Sequence, residues 1–216
     1  MRKSEIIILG IALISFAVGI YLYPLMPEKI ASHWSARGEV DDYMPKFWGL
    51  FLMPILLIGM FFLFILIPKI DPLKENIEKF RKYYDGFIMI IALFFFYIYA
   101  LTIFWNLGLR FDMTYLLTPA LAILFYYVGI LTENAKRNWF IGIRTPWTLS
   151  NENVWNKTHK IGGKMFKVAG IIILLGLLFP EYTILFMLVP ALFVAFYTVA
   201  YSYFEYQKEM RSQGRF

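Results

Sequence analysis

Residues 47–67 read FWGLFLMPILLIGMFFLFILI, without one Asp, Glu, Lys or Arg. Wound as a helix at about 1.5 Å per residue, such a run covers roughly 30 Å, the thickness of a bilayer's hydrocarbon core. A helix also pairs its own backbone N–H and C=O groups, which lipid cannot do. This stretch therefore reads as a transmembrane helix closed by Pro68. Comparable apolar runs lie at 6–23, 87–109, 113–132, about 161–179 and 182–204. Pro24 and Pro27 close the first, and Pro180 with Glu181 makes the turn between the last two. The expected fold class is an all-α membrane protein, a six-transmembrane-helix bundle.

Composition points the same way. The chain is 60% hydrophobic and 17% charged, whereas a soluble domain is about a quarter charged. No Pro-, Gly- or Ser-rich linker divides it and no internal repeat is evident, so residues 1–216 read as a single membrane domain. The first run is longer than a signal-peptide core and is followed by no small-x-small site, so it is expected to be retained. Lys and Arg crowd the segments before the first span, after the second, between the fourth and fifth, and after the sixth. The opposite segments hold only Lys29, Arg37, Lys46 and Arg110. The positive-inside rule then places both the N- and C-termini in the cytoplasm. The net charge of +6 is accordingly read as an attraction for anionic lipid headgroups, with no direct nucleic-acid partner.

Three polar segments interrupt the spans. In the outer loop, 24–46, Pro27 suits the first turn of a short helix, Gly38 a turn, and Trp34 and Tyr43 the membrane interface. His33, Asp41 and Asp42 could together hold a divalent cation, although their spacing matches no established motif. The other reading is a folded cap whose polar groups satisfy one another. In the inner segment 71–84, Asp71 can cap a helix with Pro72 at its first position. Leu73, Ile77, Phe80 and Tyr84 then form one apolar stripe, which suggests an amphipathic helix lying on the inner leaflet.

The inner segment 133–164 is rich in Trp, Asn, Arg and His. Ser150 or Asn151 can cap a helix starting near Glu152, which puts Trp155 and His159 on one face. Gly142 permits a backbone shape or close approach that larger residues resist. Arg144 offers a planar fork to a carboxylate, a phosphate or backbone carbonyls. Trp147 suits the headgroup region. Two readings stand: a ligand or partner segment, and an interfacial lid in which Arg144 ties down loop carbonyls.

Several chemistries are excluded or weakened. The absence of Cys rules out disulfides, thiol nucleophiles and Cys-based metal sites. No phosphate loop, H-E-x-x-H or G-x-S-x-G occurs. The spans lack the mid-membrane acids that ion-coupled carriers use, which argues against a small-molecule or lipid transporter. His33 and His159 fall on opposite sides and cannot share a site. A membrane enzyme using His159 with Glu152 or Asn138 is the lesser reading, and no cofactor is expected.

The segment Asn138-x-x-x-Gly142-x-Arg144-Thr145-Pro146-Trp147-Thr148, with Val154-Trp155-x-x-Thr158-His159 after it, resembles the signature of the SdpI family. The outer segment from Pro27 through His33, Gly38, Asp42, Tyr43 and Lys46 resembles a companion domain of unknown function that often precedes that signature. The resemblance implies a multi-pass protein of the cell membrane that confers immunity to a secreted killing peptide, a sporulation-delaying toxin. It also implies a signal passed to a cytoplasmic regulator. On that footing the outer loop and the membrane-embedded aromatic surface would meet the toxin. Asn138, Gly142, Arg144, Thr145, Pro146, Trp155 and His159 carry over as signature positions without assigned roles.

Overall fold

The computed structural model describes residues 2–35 and 38–213; Arg37 lies outside them. Six helices are long and apolar enough to cross a membrane: α1 (Lys3–Leu22), α2 (Lys46–Ile70), α4 (Arg81–Asn106), α5 (Met113–Asn134), α7 (Glu152–Leu175) and α8 (Thr183–Ser212). Two short helices, α3 (Lys74–Lys79) and α6 (Pro146–Ser150), lie between them. The helices overrun the apolar runs because polar residues end a hydropathy window without ending a helix. Thus α4 begins at Arg81 and α7 at Glu152, where Asn151 Oδ1 accepts from Val154 N at 3.1 Å and caps the helix.

Helices α1, α2 and α4 pack on one another, α7 packs against both α5 and α8, and α4 against α5 joins the two halves. The tightest pairing is α5 with α7. A Cβ added at Gly129 would lie 2.5 Å from the Gly163 carbonyl, and one added at Gly163 2.7 Å from that of Gly129. Helices in lipid gain from such close backbone approach, since no hydrophobic effect draws them together there. Lys167 on α7 also pairs with Glu133 on α5 at 2.6 Å. Outward positions carry large apolar side chains, among them Tyr21, Phe196 and Phe204. In water such a surface would drive aggregation; in a bilayer it meets acyl chains.

Two sequence expectations are corrected. The loop after α1 forms no helix at Pro27. It is an antiparallel hairpin of β1 (Lys29–Trp34) and β2 (Val40–Pro45), with Gly38 near its tip at a φ of 74°. The all-α bundle therefore carries one small two-stranded sheet. The stretch 71–84 is not one helix on a leaflet surface: α3 ends at Phe80, where φ is −122° and ψ is 20°. Its apolar stripe turns inward, with Ile77, Phe80 and Tyr84 at 1% exposure or less, in the same core as Phe64, Leu131 and Trp155. An amphipathic period marks a buried face without saying whether lipid or protein covers it.

The ends of the molecule are built differently. The hairpin, the 107–112 turn and the 176–182 turn share one end, here the hairpin end. The chain termini, α3, α6 and the loops around them share the other, the terminal end. Contacts between distant residues tie the terminal end together: Arg2 to Asp85 at 3.8 Å, and Lys157 on α7 to Glu205 on α8 at 2.9 Å.

Candidate functional site

At the terminal end the chain leaves α5 at Asn134 and runs without regular structure to Pro146. A loop of this kind must find partners for its backbone polar groups, and here side chains supply them. Asn138, fully buried, donates through Nδ2 to the carbonyls of Lys136 (2.8 Å) and Ile141 (2.9 Å). Its Oδ1 accepts from the amides of Phe140 (2.9 Å) and Ile141 (2.6 Å). Both donors and the acceptor of its amide are thus spent on turning the loop.

The loop then meets α7. Trp155 is fully buried, donates from Nε1 to the Ala135 carbonyl at 2.8 Å, and stacks on His159 with ring centroids 3.8 Å apart. His159 Nε2 accepts from the Ile143 amide at 3.0 Å, and Nδ1 lies 2.9 Å from the Trp155 carbonyl. A carbonyl only accepts, so Nδ1 carries the proton and the ring is the neutral tautomer. Both ring nitrogens are engaged, leaving neither for a metal or for proton transfer with Glu152 or Asn138. Gly142, at a φ of 115°, passes so close that a Cβ there would lie 2.3 Å from His159 Nε2. No side chain fits that position.

The remaining signature residues fasten the loop to α8. Thr145 and Thr148 form a reciprocal capping box around α6, with Pro146 in its first turn. Thr148 Oγ1 also donates to the Ile143 carbonyl at 2.8 Å, and Thr145 Oγ1 lies 3.0 Å from Ser202 Oγ on α8. Trp147 packs edge-on to Tyr203 of α8, with ring centroids 5.1 Å apart. Arg144 is exposed and donates from Nη1 to the Trp139 carbonyl at 2.9 Å. It ties down a loop carbonyl and keeps the rest of its guanidinium at the surface.

Sequence reading missed two further members of this clasp. Asp71, 2% exposed, accepts from Leu73 N at 2.7 Å but caps no helix, because α3 starts at Lys74 with Leu73 as its N-cap, and Pro72 is not its first residue. Its second oxygen accepts from Trp139 N at 2.9 Å, across 68 residues. Asn76 donates to the Arg137 carbonyl at 2.8 Å. Nothing local in the sequence marks these tethers. The clasp encloses a cavity of about 300 Å³ with Tyr84, Thr132, Ile141 and Gly142 among its walls. Beside Glu78 of α3, the Arg81 guanidinium holds that carboxyl below the ordinary carboxylate range.

The outer-loop candidates are not brought together as one site. His33 Nδ1 lies 2.5 Å from Asp41 Oδ1, with both side chains largely exposed. Asp42 instead accepts from the Tyr43 amide at 2.7 Å. Among the described residues no group of three or more His, Asp or Glu side chains could hold a metal ion. Gly38 sits against Asp112, and Tyr43 is exposed. The hairpin is anchored instead by Asn106 on α4, whose Oδ1 accepts from Ala31 N at 2.8 Å and whose Nδ2 donates to Ala31 O at 3.2 Å. Its side-chain amide stands in for a third strand along β1. Ile30 and Ala31 beside it are fully buried.

No solved structure matches this chain. Residues 10–58, which hold most of α1, the hairpin and the first half of α2, match a domain of unknown function (DUF1648). The chain is also 29% identical over 207 residues to "Immunity protein SdpI" of Bacillus subtilis (strain 168), across 95% of this chain and 97% of the relative. Residues 134–202, which contain the loop from α5 to α7, His159 and Ser202, match the SdpI/YfhL protein family. The signature segment thus falls within the stretch that is similar to the SdpI/YfhL protein family, in a chain with six helices long and apolar enough to cross a membrane.

Proposed function

We propose that this protein is a membrane immunity protein that protects its cell from a secreted membrane-active peptide. The observation that carries this reading is the likeness to an immunity protein over nearly the whole of both chains. Such a likeness takes in both ends of the molecule as well as the spans. The test is expression in a cell sensitive to the sporulation-delaying killing peptide. Survival should rise well above that of cells carrying an empty vector; unchanged survival with the protein present in the membrane removes the reading.

The Lys and Arg distribution supports a topology with the terminal end in the cytoplasm and the hairpin outside. The chain has no Cys, so single cysteines at Ser150 and Glu181 would report the two sides cleanly. Labelling of Ser150→Cys by an impermeant thiol reagent in intact cells would invert the topology. In this orientation the hairpin meets the toxin, and the terminal end, with Arg144 and α6 at its surface, passes the signal to a cytoplasmic regulator. Support for the signalling half lies in the clasp's construction, because one hydrogen-bonded loop touches α3, α7 and α8 together. A regulator recruited to membranes by the wild-type chain and equally by Arg144→Ala would remove Arg144 from that role.

A further inference from the structure

The hairpin roofs a cavity of about 360 Å³ that lies between the two halves of the bundle, with walls from β1, α2, α4, α5 and α8. We propose that this cavity receives apolar side chains of the peptide against which the protein protects; the inference rests on the immunity reading above. Three observations support a peptide as the occupant.

The first is the lining. Met44, Met53, Met113 and Met187 come from four separate elements into one space. Methionine is unbranched and polarisable and re-packs around varied apolar shapes, which suits a surface that must accept side chains. The volume holds a few apolar side chains but not a helix, whose diameter with side chains is about 10–12 Å.

The second is the chemistry of the mouth. Ser32 and His33 line the cavity at its roof, with Thr102 and Thr114 on the helices below. Hydroxyl and imidazole groups can pair with peptide amides. Among the described residues no Lys or Arg lines the cavity. Asp41 lies beside His33, with Asp42 exposed next to it. That acidic edge favours a cationic or neutral ligand over an anionic lipid.

The third is the hairpin itself. In the two-stranded sheet β2 pairs only with β1, and its residues are mostly exposed. An exposed strand edge of this kind can hold an extended peptide by its backbone, and Met44 of β2 also lines the cavity. The larger groove of about 950 Å³ between α7 and α8 lacks this. Apart from Lys164 and Tyr182 its lining is wholly apolar, with nothing to distinguish a peptide from an acyl chain.

The experiment uses the full chain and the synthetic sporulation-delaying peptide. Two variants fill the cavity, Leu117→Trp and Met187→Trp, and a third, Val189→Trp, adds the same ring to the α7–α8 groove. Each is brought to wild-type abundance in the membrane. Cavity filling is expected to lower peptide affinity and protection about tenfold or more, with Val189→Trp at wild-type levels. A photo-crosslinking residue at Met187 should capture the peptide, and one at Val189 should not. If the wild-type chain protects while both filled variants protect equally and Met187 captures nothing, the cavity proposal is overturned and the immunity reading stands. If the filled variants fail to accumulate, crosslinking in the otherwise wild-type chain decides: capture at Met187 supports the cavity and capture only at Val189 overturns it. A wild-type chain that neither protects nor crosslinks defeats the immunity reading and this inference with it.

Discussion

The two ends of the molecule solve one problem in opposite ways. Each must close irregular backbone at a membrane boundary. At the terminal end the loop's polar groups are met by buried side chains: Asn138, Trp155 and His159 are all at 1% exposure or less, and Asp71 reaches the same loop from α3's side. Each partner there has two jobs, so loss of one leaves a buried group unsatisfied. At the hairpin end the backbone pairs mostly with itself, strand to strand, and side chains such as Asn106 on α4 link it to the helices. Its polar surface stays in contact with water, as the His33–Asp41 pair does. The first arrangement is rigid and intolerant of change. The second is a lid held at a few points, with a cavity beneath it. Rigidity suits a part that couples several helices, and a lightly held lid suits a part that admits something from outside.

Substitutions can break or sharpen this contrast. The largest effect is expected from Gly142→Val, which forces a side chain onto His159 Nε2 at a positive φ. It should cost about 3 kcal/mol or more of stability, read as a lowered thermal midpoint in detergent. Adding His159→Ala should recover part of that loss, because the two positions collide directly. Asn138→Ala comes next, at about 2–3 kcal/mol, since it strips partners from the amides and carbonyls it now serves. Its effect should appear in the same thermal measurement, and an unmoved midpoint would break the picture of a rigid clasp.

Asn106→Leu should act locally, at about 1–2 kcal/mol. The Ala31 amide is expected to exchange faster with solvent and the hairpin to become cleavable, while protection of the Ile143 and Trp139 amides stays as it was. Faster exchange at both ends would show that the two are coupled. His33→Ala should change stability by no more than about 0.5 kcal/mol, because an exposed ion pair contributes little. Divalent cations or a chelator should leave the thermal midpoint of the wild-type chain in place. A rise on adding metal that His33→Ala abolishes would reinstate the outer loop as a metal site.

Much of the terminal clasp was legible beforehand, in unequal parts. The close approach at Gly142 and the tied carbonyl at Arg144 were each among the alternatives the residue types offered, and the loop's path selects them. Trp155 and His159 could be placed on one helix face by their spacing of four. That His159 spends both nitrogens on loop backbone could not be read, since its partners follow from the path of the loop between α5 and α6. Asp71 shows the limit well. The helix cap expected of it does not form, since α3 starts at Lys74; its bond to Leu73 N holds a turn and its bond to Trp139 N spans the chain. The hairpin escaped notice because Pro27 is as good a helix starter as a strand neighbour. Its strands are short, and they alternate poorly around bulges near Ala31 and His33.

The sequence by itself determined that the chain lives in a bilayer, how many times it crosses, and which segments stay at the surface. Transfer of apolar side chains into lipid depends on composition along a short window, and no distant residue can reverse it. Tertiary structure alone decided where the amphipathic stripe of 71–84 is buried, which polar groups meet across the loops, and that a cavity lies beneath the hairpin. Those outcomes depend on how helices far apart in the chain pack, and packing in lipid turns on close fit and paired polar groups that no local window contains.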